Sequence, residues 1–261
     1  MIIDTHSHYD DSAFDLDRDD LLSNLCGNNI ELVINASADL KGCEDTIKLC
    51  HKYDNVYGMI GIHPDGLKEL DDSSIPYLKE LIEANAIYNG NKIVAVGEIG
   101  LDYHYDDVPK EMQIEWFHKQ LELAKEVNLP VNIHSREAAK DTYDILKEHG
   151  TEKLGGIIHC YSYSVDMARE YLNLGYYFGI GGVLTFKNAR KLVEVVEYLP
   201  LEAIVLETDC PYLSPVPFRG ERNDSRNLKQ VAEKIAELKS VSYDKVIDIT
   251  AANAKKVYSI K

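Results

Sequence analysis

IVAVGEIGLDYHYDDVPKEMQIEWFHKQLELAKEVNLPVNIH, residues 93–134, is the stretch on which the fold turns. Ile93 to Gly100 is short, near-continuously apolar and rich in β-branched residues, as a strand buried on both faces should be. Pro109 pre-sets the first turn of an amphipathic helix from Lys110 to Val127. From Pro130 to His134 the apolar, β-branched pattern resumes. Strand, helix and strand in succession make a βα repeat, the unit of a parallel sheet.

The same unit recurs in both directions. Strand-like runs are IID near residue 2, ELVINAS from Glu31, VYGMIGIH from Val56, GGIIHCY from Gly155, YYFGIGG from Tyr176 and AIVLETD from Ala203, giving eight with the two above. Amphipathic helical stretches fall at Arg18–Asn28, Leu40–Tyr53, Ile75–Tyr88, Glu137–His149, Val165–Leu174 and Ala189–Tyr198. Gly150 and Gly175 end two of them in the way a left-handed cap requires. Strand starts are roughly 21 to 37 residues apart, which fits one strand, one helix and two short loops. After the last strand come a Pro-rich loop and helical segments Arg226–Lys239, Tyr243–Ile249 and Ala252–Tyr258. No linker or low-complexity segment intervenes, so residues 1–261 read as one α/β domain with extra C-terminal helices. Eight such units form either an open doubly wound sheet or a closed (β/α)8 TIM barrel, and periodicity alone does not separate them.

Hydrophobic residues make up 45% of the 261-residue chain and charged residues 28%, the balance of a globular protein with a large core. Five cysteines without scaffold-like spacing point to reduced thiols. The N-terminus carries no basic-then-apolar leader, and no run is long and apolar enough to span a bilayer, so the expectation is a cytoplasmic protein without a membrane. No obligate protein partner is evident. A formal net charge of −16 repels polyanions at long range and disfavours tight binding to long duplex DNA. A small anion, or a strand end entering a locally positive pocket, remains compatible with it.

His6 and His8 are two apart at the end of the first strand, so both imidazoles leave the backbone on the same side. Glu98 is read at the end of strand four, His134 of strand five, His159 of strand six and Asp209 of strand eight. Candidate ligands on five strand ends favour closure, because a barrel gathers those ends on one face. Four imidazoles and two carboxylates exceed the needs of one tetrahedral ion but suit two ions sharing a carboxylate, with Glu98 as the bridge. Two divalent ions and two carboxylates leave roughly +2, enough to activate a water and hold an anion. Asp209 is the candidate ligand that also takes the proton of that water. Imidazole ligands favour zinc or manganese, with magnesium admitted.

His63, at the end of strand three, and Arg136 and Arg219 are candidate substrate-binding residues, the arginines as planar clamps for a phosphate. Asp4 and Glu207 share faces with His6 and Asp209 and are read as carboxylates that orient imidazoles. Tyrosine occurs 17 times, so no single one stands out as a platform for a base.

DTHSHYD, GIHP, VGEIGLDYHY, PVNIHSREA, GGIIHCYS and ETDCPYLSPVPFRGERN together resemble the motifs of the TatD-type deoxyribonucleases, members of the amidohydrolase-like barrels, almost end to end. The resemblance implies His6, His8, Glu98 and Asp209 around one ion and Glu98, His134 and His159 around the other. It also implies phosphodiester hydrolysis, often of single-stranded DNA from the 3′ end, with magnesium, manganese or zinc. Nucleic-acid ends are then the substrate. The alternative within the same resemblance is an ester hydrolase such as a D-aminoacyl-tRNA deacylase, and a non-catalytic metal-binding scaffold is a third reading that a complete ligand set disfavours. One departure stands out: where the family usually shows Asn, an acidic residue and Pro, this chain reads Asn223, Asp224, Ser225.

Overall fold

A computed structural model describes residues 1–88, 92–150 and 154–261. The strands are β1 (Ile2–Ser7), β2 (Ile30–Ala36), β3 (Val56–Ile60), β4 (Ile93–Asp102), β5 (Val131–Arg136), β6 (Gly156–Ile158), β7 (Tyr177–Ile180) and β8 (Ile204–Leu206). They lie in sequence order in one parallel sheet. The ring closes between its ends: Ser7 bridges Cys210, the Asp209 N–H donates to His6 O at 3.0 Å, and the His8 N–H donates to Cys210 O at 2.9 Å. The fold is therefore the (β/α)8 TIM barrel rather than the open sheet.

The helices are α1 (Arg18–Ser23), α2 (Leu40–Lys52), α3 (Ser74–Tyr88), α4 (Lys110–Val127), α5 (Ala139–His149), α6 (Val165–Asn173), α7 (Arg190–Tyr198), α8 (Leu228–Lys239) and α9 (Tyr243–Val257). All ten residues of β4 are buried, which explains why its pattern is apolar except at Glu98 and Asp102. No helix among the described residues is long and apolar enough to cross a membrane.

Several strands are shorter than their sequence runs, so that His63, His159 and Asp209 lie past β3, β6 and β8, and three further boundaries differ for local reasons. The first helix stops at Ser23, and Cys26–Asn28 forms a separate 3-10 turn closed by Asn29 at φ 64°, since Gly27 weakens the helix there. The two last helical segments are one helix, α9, because Val246, Ile247, Thr250, Ala251 and Ala254 continue a single buried stripe across the expected break. β4 runs on to Asp102, so Glu98 lies inside the strand. Gly100, at φ +144°, allows this continuation: a Cβ there would lie 2.0 Å from His134 O.

The C-terminal helix is tied to the barrel's centre. Tyr258, just past α9, accepts from Asn132 Nδ2 at 3.1 Å and donates to Thr5 O at 3.2 Å. Asn132 Oδ1 in turn meets His6 Nδ1 at 2.9 Å.

Candidate metal centre

β1 supplies His6 and its continuation His8, β4 supplies Glu98, and β5 supplies His134, while His159 follows β6 and Asp209 follows β8. All six converge at one end of the barrel. His6 Nε2 and His8 Nε2 are 3.2 Å apart, and Asp209 Oδ1 lies 3.3 Å from His8 Nε2 and 3.8 Å from His6 Nε2. Glu98 turns Oε2 to His6 Nε2 at 3.3 Å and Oε1 to His134 Nδ1 at 2.8 Å, with His159 Nε2 3.7 Å from Oε1. His6 and His159 stack with ring centroids 3.6 Å apart, so His6 stands within reach of both halves of the cluster.

A ligand imidazole must offer a lone pair, and the partner of its other nitrogen decides which one. His8 Nδ1–H donates to Ala36 O at 2.9 Å, and His6 Nδ1 meets Asn132 Oδ1 at 2.9 Å, which turns both Nε2 atoms inward. For His134 the assignment reverses: Asp102 Oδ2 holds Nε2 at 3.0 Å and leaves Nδ1 facing Glu98. Glu207 Oε1 lies 3.1 Å from His159 Nδ1, an ion-pair distance without hydrogen-bond alignment, and the same oxygen accepts the Cys160 N–H at 2.6 Å. Gly179 leaves room for that carboxylate, since a Cβ there would meet Glu207 Oε2 at 2.0 Å.

Electrostatics suit cations. Burial opposes a charge on His8, but the Asp209 carboxylate, with Glu98 and Asp10, outweighs it and raises the imidazole to about 10. Burial likewise opposes charge on His134 and His159, and Asp102 and Glu98 raise the first, Glu207 and Glu98 the second, each to about 9. These carboxylates hold positive charge on imidazoles that a divalent ion would otherwise satisfy, so the donor set fits such ions.

Asp102 and Asn132 were missed in the sequence. Asp102 lies four residues beyond Glu98, an even spacing that places it on the same face, and Asn132 lies two before His134 in β5. Ending the strand at Gly100 hid the first, and a polar residue in an otherwise apolar run gave no warning of the second. Replacing Asp102 with alanine is expected to weaken binding of the ion at His134 by about 10- to 100-fold, with Asp102→Asn closer to wild type because its amide oxygen still accepts from Nε2. Competition against a chelating indicator reads both. Equal affinity in the alanine variant and wild type would remove Asp102 from this role.

Glu207 stands beside an imidazole as expected; Asp4 does not. Asp4 is fully buried and accepts instead from the Thr208 N–H at 3.0 Å, Thr208 Oγ1 at 2.7 Å and Ser225 Oγ at 2.6 Å. Ser225, the departure from the family pattern, also meets Tyr9: its N–H donates to the phenol at 3.1 Å, and its Oγ lies 2.8 Å from the same oxygen. A proline could make neither contact. Burial raises the Asp4 carboxyl to about 7 against these donors. A carboxyl raised in the folded state costs stability above its ordinary pKa as the buried charge forms, and losing a donor adds to that cost. Ser225→Ala is therefore expected to destabilise the fold by about 1–3 kcal/mol, more at pH 8 than at pH 5, as read by denaturant unfolding. A deficit independent of pH would mean that the Asp4 contact is not what Ser225 contributes.

His63 lies three residues beyond β3 and begins a 3-10 turn over Pro64–Glu69. Its Nδ1 accepts the Asp65 N–H at 3.2 Å, and burial, then His134, lowers the imidazole to about 3. The neutral ring thus carries its hydrogen on Nε2, 4.0 Å from Glu98 Oε1. Arg136 ends β5, half-exposed, with Nη1 4.0 Å from Asp102 Oδ2. His63 and Arg136 both line a cavity of about 670 Å³ over the centre. Arg219 does not line it; its guanidinium lies 3.6 Å from the Phe186 ring centroid. His118 and His149 meet at 2.7 Å on the outer helices and do not line this cavity.

The sequence model of the family described as TatD related DNase matches residues 3–259. The metal-dependent hydrolase YabD of Bacillus subtilis is 40% identical over 260 residues, with 100% of both chains covered. A metal-dependent hydrolase of Methanocaldococcus jannaschii is 34% identical over 256 residues, covering 98% of this chain and 96% of its own. Among solved structures, the TatD homologue YjjV of Escherichia coli superposes with a TM-score of 0.93 at 31% identity, covering 100% of this chain and 98% of that one. An organophosphorus hydrolase from Deinococcus radiodurans, at 11% identity and a TM-score of 0.67, shares the fold alone. With the family's sequence model spanning all but two residues at either end, the chain belongs to the TatD related DNases and is a metal-dependent hydrolase.

Proposed function

We propose that the protein is a two-metal phosphodiesterase that shortens single-stranded DNA from its 3′ end. The observation that carries this reading is Glu98, which offers one oxygen to His6 and the other to His134. His6, His8, Glu98 and Asp209 would hold one ion, and Glu98, His134 and His159 the other. Zinc or manganese suits four imidazoles best, with magnesium admitted. Such ions supply positive charge that lowers the pKa of a coordinated water and stabilises charge developing on the phosphate. Asp209, one-fifth exposed at the cavity floor, accepts the proton that water loses. His63, with its hydrogen on Nε2, and Arg136, with its planar fork, bind the non-bridging phosphate oxygens.

The test is cleavage of single-stranded DNA carrying a 3′ label by protein loaded with manganese or zinc, against a chelator control. Stepwise shortening abolished by the chelator is the expected outcome. A second reading, hydrolysis of an aminoacyl ester at an RNA end, draws on Asp10, Asp11, Asp39 and Asp65, which line the same cavity and would meet an α-ammonium group. DNA left intact under every metal, with deacylation of D-aminoacyl-tRNA, would favour it.

A further inference from the structure

Large side chains exposed at the barrel mouth carry information about the substrate that the metal centre does not. Tyr105 is 49% exposed and Tyr212 57% exposed, and both line the cavity over the centre. Tyr105 follows β4 and Tyr212 follows β8, four strands apart in a ring of eight, so the two rings stand on opposite sides of the mouth. Each is propped despite its exposure. The Arg136 guanidinium lies 5.2 Å from the Tyr105 ring centroid, and His104 meets the same ring edge-on at 4.7 Å while its Nδ1 lies 2.7 Å from Glu137 Oε1. The Tyr212 hydroxyl donates to Asp11 Oδ2 at 3.1 Å. Exposed aromatic surface held at a cavity mouth marks a place where a partner stacks.

The charges around these rings restrict how a nucleic acid is held. Outside the five candidate ligands that line it, Asp102 and the neutral His63, the cavity presents, among the described residues, four aspartates, Asp10, Asp11, Asp39 and Asp65, and a single guanidinium, Arg136. A strand entering it meets no row of cations to replace its counterions, so phosphate contacts supply little of the affinity. Stacking on aromatic faces is indifferent to that acidic wall.

We propose that Tyr105 and Tyr212 are nucleobase subsites, and that the protein grips a single strand by unpaired bases on either side of the scissile phosphate rather than by its phosphates. The proposal rests on the phosphodiesterase reading. It also narrows the substrate to strands whose bases are free to stack.

The experiment compares KM for a short single-stranded oligodeoxynucleotide with KM for an abasic oligomer of the same length, using the full chain loaded with manganese. Tyr105→Ala and Tyr212→Ala are each expected to raise KM about tenfold on the intact oligomer. On the abasic oligomer that rise disappears; Tyr105→Phe keeps the wild-type value, and Tyr212→Phe, which keeps the ring but loses its Asp11 contact, raises KM by less than Tyr212→Ala. Wild-type log KM should change gently with log salt, with a slope of about 0.7 to 1.4, as one or two phosphate contacts dictate. Unchanged KM in both alanine variants overturns the proposal, as does a slope of about 3 or steeper. Cleavage with indifferent tyrosines removes the base subsites alone, whereas a wild-type protein that cleaves neither oligomer removes the phosphodiesterase reading and this proposal with it.

Discussion

Asp209→Asn is expected to lower turnover by about 10²- to 10⁴-fold while the melting temperature stays within a few degrees of wild type. Backbone geometry makes this substitution informative. Asp209 sits at φ 56°, in the left-handed region, which asparagine tolerates better than most residues. Its N–H bond to His6 O, part of the seam that closes the barrel, survives the change. The amide keeps one oxygen that can face His8 but loses the charge and the capacity to accept a proton. Steady-state turnover on labelled single strands, read beside metal content by mass spectrometry, separates the two roles. A variant that retains both ions and loses turnover assigns the proton to Asp209; one that loses an ion places the residue chiefly as a ligand. Turnover within tenfold of wild type, with both ions bound, would remove Asp209 from the chemistry.

The fold was legible because its strands are buried on both faces. Runs such as Ile93–Gly100 are apolar but for the single Glu98, so no alternating polar face confuses the pattern, and each is followed by a helix whose period differs. The convergence of the candidate ligands was legible for a different reason: on a barrel, strand ends share one face, so histidines and carboxylates scattered over two hundred residues become neighbours. What stayed hidden depends on contacts that spacing does not encode. Gly100 is the last residue of the apolar run in sequence, whereas its backbone sits against His134 O and carries the strand on to Asp102. Ser225 reads as a lost proline, yet its hydroxyl reaches Asp4, 221 residues away in the chain. The tyrosines show the same limit, since exposure and position on the ring, not residue type, distinguish Tyr105 and Tyr212 from the rest.

Glu98→Gln should be the most damaging single change at the centre, with loaded protein holding one ion in place of two and turnover falling by about four orders of magnitude or more. Glutamine fills the same volume, but one of its two terminal atoms is a donor. That amide nitrogen must face either His6 Nε2 or His134 Nδ1, which now meet carboxylate oxygens at 3.3 and 2.8 Å. Whichever side receives it can keep no ion through this residue. The metal-free protein responds differently. In wild type, burial disfavours the Glu98 charge, while His6 and His159, with His134, hold it well below the usual carboxylate range. The carboxylate in turn helps hold protons on His8, His134 and His159. Removing it lowers those imidazoles toward their ordinary range, so metal-free stability at pH 8 falls because an attraction between buried charges is lost. Near pH 10, where wild-type His134 and His159 have largely released their protons and His8 about half of its own, the buried carboxylate has lost most of these partners and the deficit narrows. Metal stoichiometry, turnover and metal-free unfolding at the two pH values test these consequences separately. Two ions retained with near-normal turnover would mean that Glu98 does not bridge, and the stacked His6–His159 pair would then become the junction between the two ligand sets.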